Sequence, residues 1–243
     1  MRYLIKFSYD GSNFFGYQKQ KNRRTIQGEL ERVLCIIAKK NVFVSASGRT
    51  DALVHAYEQC AHFDLENIIE PNCLKKGMNS LLPDDIYIKE VSFVHKNFHA
   101  RFDVVKKEYC YKINMGEFNP IERNYIYQLN HSLNLDKINE SLKFFKGEHN
   151  FKSFTKSTNE IDNYVRIIYD ILIDVSNDIV TITFIGNGFL RYMVRNIVGT
   201  LIFIGEGKIE PYCVKTILEY EDRKKAYKTA PANGLYLKKV YYE

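Results

Sequence analysis

Tryptophan is missing from this chain, although Tyr and Phe bring the aromatic content to 14%. Cysteine is sparse. Cys35, Cys60, Cys73, Cys110 and Cys213 are odd in number, widely spaced and form no CxxC pair. That pattern excludes a disulfide frame and argues for reduced thiols rather than a zinc site. No apolar run is long enough to span a bilayer. The N-terminus, Met1 to Lys6, enters a strand-like alternation without a signal-peptide core, so the expected compartment is the cytoplasm, with no membrane partner. Low-complexity segments and Gly/Ser linkers are absent, which excludes loosely tethered domains.

What is present is ordinary for a globular protein: 243 residues, 45% hydrophobic and 26% charged. Net charge is +6. This mildly basic balance permits a polyanionic partner without requiring one.

Periodicity divides the chain into two similar halves, 1–104 and 105–243. In the first, Tyr3 to Tyr9 alternates as a strand. Thr25 caps a helix whose apolar face carries Ile26, Leu30, Val33, Leu34 and Ile37. Val42 to Ser47 and Gln59 to Asp64 read as strands. Pro71 opens a helix that ends near Leu82, and Ile86 to Val94 closes the half. In the second, Lys107 to Met115 is a strand and Asp136 to Lys146 a helix. Val165 to Val175 and Ile179 to Ile185 form a hairpin about Asn177-Asp178. A strongly apolar helix spans Leu190 to Leu201, a short one starts at Pro211, and Leu235 to Tyr242 is the last strand. Two β-α-β-β-α-β runs predict an α+β protein of two ferredoxin-like (RRM-like) halves. Each would be a largely antiparallel sheet flanked by helices, the two related by a pseudo-two-fold axis with the active cleft between them.

The chemistry concentrates in Gly48-Arg49-Thr50-Asp51-Ala52-Leu53-Val54-His55-Ala56. A carboxylate beside a guanidinium on a short loop is held ionised, and an ionised, partly desolvated carboxylate can serve as a nucleophile. The same spacing also suits a structural Arg–Asp pair that pins a turn, and spacing alone does not choose. Phe98-His99-Ala100-Arg101-Phe102 interleaves basic and aromatic residues, a composition suited to phosphate contact and base stacking. Other signals fail. Gly205 to Ile209 lacks the glycine spacing and Ser/Thr of a phosphate loop. His55, Cys60 and His62 lack a fourth ligand at useful spacing.

The nine-residue run closely resembles the catalytic motif of the TruA family of tRNA pseudouridine synthases, with Leu53 where that motif usually has Gly. Further stretches match the family in order: Tyr9 to Gln20 (Tyr17 replacing the usual Trp), Thr25 to Gly28, Phe98 to Phe102, Lys107 to Tyr109, Gly188 to Gly199, and Thr229 to Leu237. The resemblance implies an isomerase that converts uridine to pseudouridine in the tRNA anticodon stem-loop, as a homodimer and without metal or small-molecule cofactor. It implies Asp51 as nucleophile and Arg195 as its cationic partner across the cleft. It also implies Tyr109 and Leu235 against the flipped uracil, Arg49 in the vacated stack, and Phe98, His99, Ala100, Arg101 and Phe102 as an RNA-binding segment. Two alternatives stay open at this point: a relative retargeted to ribosomal RNA, and a non-catalytic RNA-binding protein.

Overall fold

The structure is a computed structural model that describes residues 1–156 and 163–242. It is a mixed α+β protein in two compact units: Met1–Val105 with Tyr236–Glu243, and Lys106–Leu235.

In the first unit, β1 (Arg2–Tyr9) pairs antiparallel with β3 (His55–Asp64) and β4 (Ile86–Phe93), and β2 (Ser45–Ala46) borders β3. Alternation along β1 buries Tyr3, Ile5 and Phe7 on one face, where Tyr3 stacks on Phe63. Helix α1 (Ile26–Ala38) begins as its sequence demands: the Thr25 hydroxyl takes the Gly28 N–H, and Ile26, Leu30, Val33 and Leu34 are buried. Helix α2 (Pro71–Leu81) places Pro71 at its first position, and the Glu70 carboxylate caps the Cys73 N–H.

The strand expected over 42–47 shrinks to two residues, for a local reason. The N–H of Val44 goes to the Glu31 carboxylate and its carbonyl to Gln27, so α1 side chains satisfy backbone that a neighbouring strand would otherwise bond. The strand expected from Gln59 starts earlier, at His55.

The second unit is an antiparallel sheet, β5–β9–β8–β7, of Lys106–Asn114, Ile179–Gly186, Val165–Ser176 and Gly147–Asn150. The short β6 (Tyr127–Gln128) adds parallel to β5. Helix α3 (Leu135–Leu142) stops earlier than expected, and α5 is Cys213–Glu219. Between them, α4 (Met193–Gly205) is apolar nearly all round and buried over most of its length. It begins after Leu190, because Tyr192 at its N-cap has a left-handed φ of 64° that no helix continues through. The final strand, β10 (Leu235–Tyr241), departs from the expected 105–243 grouping. It pairs parallel with β3 through Tyr236↔His55 and Leu237↔Ala56, and all but its first residue joins the first unit.

Candidate active site

Asp51 lies half-buried in the connection from β2 to β3, with Arg49 exposed two residues before it. The loop is fixed from two sides. At its root, the Ser47 N–H donates to the Cys60 carbonyl at 2.8 Å and its hydroxyl to Gln59 Oε1 at 2.5 Å. Gln59 Nε2 donates in turn to the Gly48 carbonyl at 3.1 Å. On the other side the opening motif, residues 9–17, grips the loop directly. The hydroxyls of Tyr9 and Thr50 are 2.7 Å apart, and the Tyr17 N–H donates to the Thr50 carbonyl at 3.0 Å. The two glycines of that motif are sterically required. A Cβ on Gly11 would lie 2.1 Å from the Val54 carbonyl oxygen, and one on Gly16 (φ 90°) would lie 2.9 Å from that of Thr50. The Gly11 N–H donates to His55 Nδ1 at 3.1 Å, tying the tail of the motif to the same clamp.

Burial pushes the Tyr9 phenol up to about 12, against the pull of its bonds to Thr50 and Gln59, so the phenol in the clamp is neutral. Tyr17 is 2% exposed, and its phenol is also driven well above the ordinary value by burial. Its hydroxyl is buried with no hydrogen-bond partner among the described residues.

Asp51 to Val54 is a tight turn closed by the Val54 N–H on the Asp51 carbonyl at 3.3 Å. Of its two central residues only Leu53 has a positive φ, 68°. That is the type II pattern, whose third position favours glycine. Leu53 therefore keeps the backbone shape a glycine would take there, and its side chain stands 47% exposed.

The 98–102 segment follows β4 in the same unit. Phe102 is 74% exposed and lies against His99 at 4.3 Å, with the Arg101 guanidinium 5.9 Å from its ring. Ala100 differs from the expectation. It is fully buried, its N–H donating to His62 Nδ1 at 3.1 Å and its carbonyl accepting the Tyr242 hydroxyl at 2.7 Å. It cannot touch RNA from there and instead anchors its neighbours. His62 accepts that bond as a neutral ring: burial, then the charges of Arg2 and His99, lower its pKa to about 4.

The second unit holds the remaining expected residues. Tyr109 on β5 is half-buried and meets Phe189 edge-on at 5.2 Å. Tyr111, two residues on, is fully buried, with its hydroxyl on the Pro231 carbonyl at 2.7 Å. Arg195, in the first turn of α4, donates through Nε to the Ala230 carbonyl at 2.8 Å. Leu235, 7% exposed, begins β10. Among the described residues, Arg195 also lines an open cleft of about 840 Å³ with Lys152, Lys156, Arg223 and Lys224, together with the acids Glu221 and Asp222. A cleft with five cations and two acids attracts polyanions.

The structure thus groups Arg49 and Asp51 on one clamped loop, and Arg195 with Tyr111 and residues 230–231. It keeps 98–102 as a separate surface segment. Sequence reasoning missed Tyr9, Gln59, Asn196 and Arg223 as parts of these assemblies. Among the described residues no group of three or more His, Cys, Asp or Glu could hold a metal ion, and no helix is long and apolar enough to cross a membrane.

A family model described as tRNA pseudouridine synthase matches residues 5–103 and 142–243. The chain belongs to the tRNA pseudouridine synthase family. It is an isomerase that acts on tRNA, converting uridine to pseudouridine. Similar proteins named tRNA pseudouridine synthase A include one from Anoxybacillus flavithermus, 47% identical over 100% of this chain and 99% of its own length. Another, from a Geobacillus species, is 46% identical over 100% and 98%. A third, from Pseudothermotoga lettingae, is 45% identical over 97% of each chain.

Proposed function

We propose that this isomerase acts on uridines in the anticodon stem-loop of tRNA, with Asp51 as its nucleophile. The observation that carries the proposal is the clamp: a half-buried carboxylate on a loop fixed at Ser47, Thr50 and His55 is a preorganised reacting group. In this reading Asp51 bonds reversibly to the flipped nucleotide and the bond from uracil N1 to ribose C1′ breaks. The base turns and rejoins through C5, the C5 proton leaves, N1 regains a proton, and Asp51 is released. The reaction is an isomerisation and consumes no co-reactant.

Arg195 is the cationic partner of Asp51 in this account, Tyr109 and Leu235 hold the uracil, and Arg49 fills the gap in the stack. The partly exposed position of Tyr109, beside a wholly buried Tyr111, supports the choice between the two. Phe98, His99, Arg101 and Phe102 give RNA a stacking surface set by the buried Ala100. The basic cleft beside Arg195 supplies phosphate contacts. The first unit is read as a ferredoxin-like half. Its strand order, β4–β1–β3–β2, supports that reading. A symmetric homodimer in the cytoplasm completes the proposal, since a second subunit offers a long tRNA another docking face.

The test is to map pseudouridine in tRNA and ribosomal RNA from cells with and without this gene. Loss of the modification in anticodon stem-loops, and nowhere else, is the expected result. Loss confined to ribosomal RNA would reassign the substrate.

A further inference from the structure

Arg195 is held by an irregular strap, Tyr227 to Pro231, that has neither helix nor strand structure. Ala230 clasps it at two points: its carbonyl accepts from Arg195 Nε at 2.8 Å, and its N–H donates to the Arg195 carbonyl at 3.0 Å. A bare strap would fray, because each clasp bond alone does little against chain entropy. This one is tied down by the residue next to Arg195 and by a single arginine. Asn196 is fully buried; its Nδ2 donates to the Phe154 carbonyl at 2.7 Å, and its Oδ1 accepts the Thr229 hydroxyl at 2.6 Å. Arg223 donates to that same Asn196 oxygen, to Thr229 Oγ1 and to the carbonyls of Ala226 and Tyr227, all at 3.0 Å. Gly199, one turn along α4, lets the strap lie against the helix. A Cβ there would come within 1.8 Å of the Lys228 carbonyl oxygen.

We propose that Arg223 is a positioning residue for the isomerisation. Its guanidinium latches the 227–231 strap onto α4, so that Ala230 fixes the direction in which Arg195 presents its charge. A planar fork of several donors can tie oxygens of the 226–229 stretch to Asn196 of α4 at once, in a fixed geometry a lysine lacks. All four of its acceptors are neutral, and burial lowers its pKa, as expected of a cation kept for its hydrogen-bond geometry rather than for an ion pair. The functional half of the proposal rests on the role given above to Arg195.

The test uses the full chain and a tRNA transcript carrying tritium at uridine C5, with enzyme in excess. Arg223→Ala is expected to slow the single-turnover rate constant by about ten- to a hundredfold. The rate constant is read at saturating enzyme, because Arg223 also lines the basic cleft and its loss weakens tRNA binding as well. In an Arg195→Ala background the same change is expected to cost less than about twofold, because the two act as one unit. Amide exchange at Ala230 should quicken at least about tenfold while that of Ile182 in β9 holds. Thr229→Val, which removes the hydroxyl shared by Arg223 and Asn196 but leaves the other three Arg223 bonds, should give the same pattern in milder form and stands in if Arg223→Ala does not fold. Equal cost of Arg223→Ala in both backgrounds, or unaltered exchange at Ala230, overturns the proposal. Full activity of Arg195→Ala would instead sink the role of Arg195, and the exchange measurement alone would then decide whether the latch exists.

Discussion

At the scale of single residues, the two departures from the family motifs have opposite physical characters. Leu53 sits in a left-handed conformation that costs a non-glycine residue roughly 1–2 kcal/mol. Glycine would remove that cost but lose roughly 0.5–1 kcal/mol through its freer unfolded chain. Leu53→Gly should therefore raise stability slightly, by about 0.5 kcal/mol, whereas Leu53→Val, with its β-branch, should lower it. Denaturant midpoints with unchanged m-values would measure both, and a Leu53→Gly chain weaker than the parent by more than about 1 kcal/mol would contradict the turn assignment. Tyr17 poses the reverse case, a hydroxyl buried without a partner among the described residues. Leaving such a group unsatisfied costs about 1–3 kcal/mol. Tyr17→Phe should accordingly fold at least as stably as the parent, and clear destabilisation would mean the hydroxyl has a partner after all. The sequence shows that both positions are unusual, but neither the φ of Leu53 nor the isolation of the Tyr17 hydroxyl can be read without the clamp around them.

At the scale of elements, local signals served well and distant ones did not. The Thr25 cap, the Pro71 start and the alternation of β1 are written in neighbouring residues, and they appear where expected. The β7 strand, Gly147–Asn150, was missed because a glycine and three polar residues carry no apolar alternation. The 42–47 strand was overestimated because Glu31 and Gln27, far off in sequence, take its backbone bonds. The role of Ala100 was misjudged for the same reason: its partners, His62 and Tyr242, are 38 and 142 residues away.

That anchor has a pH signature. His62 titrates at about 4 in the folded chain against an ordinary 6.5, so between those values the unfolded chain binds more protons. Its contribution to stability is complete above about 6.5 and is lost as pH falls toward 4. Arg2 and His99 depress the value further, while Asp64 and Asp103 oppose them. Thermal midpoints should drop more steeply for the parent than for His62→Asn, whose amide oxygen can still accept the Ala100 N–H without titrating. Parallel pH curves for the two proteins would refute the assignment.

At the scale of the whole molecule, the family that the ordered motifs indicate was legible in the sequence. What was not legible is how each reacting group is held. The Tyr9–Thr50–Gln59 clamp and the Arg223 latch join residues whose separate sequence contexts look unremarkable. In the proposed function the clamped Asp51 is a reacting group rather than a turn residue, and this is the claim to test most directly. Asp51→Asn keeps the size and shape of the side chain but removes the anion. Pseudouridine formation on tRNA should then fall below about a hundredth of the parent rate, with tRNA binding retained within a few-fold because phosphate contacts are spread over many side chains. Turnover by Asp51→Asn above that hundredth would show that Asp51 is not the nucleophile.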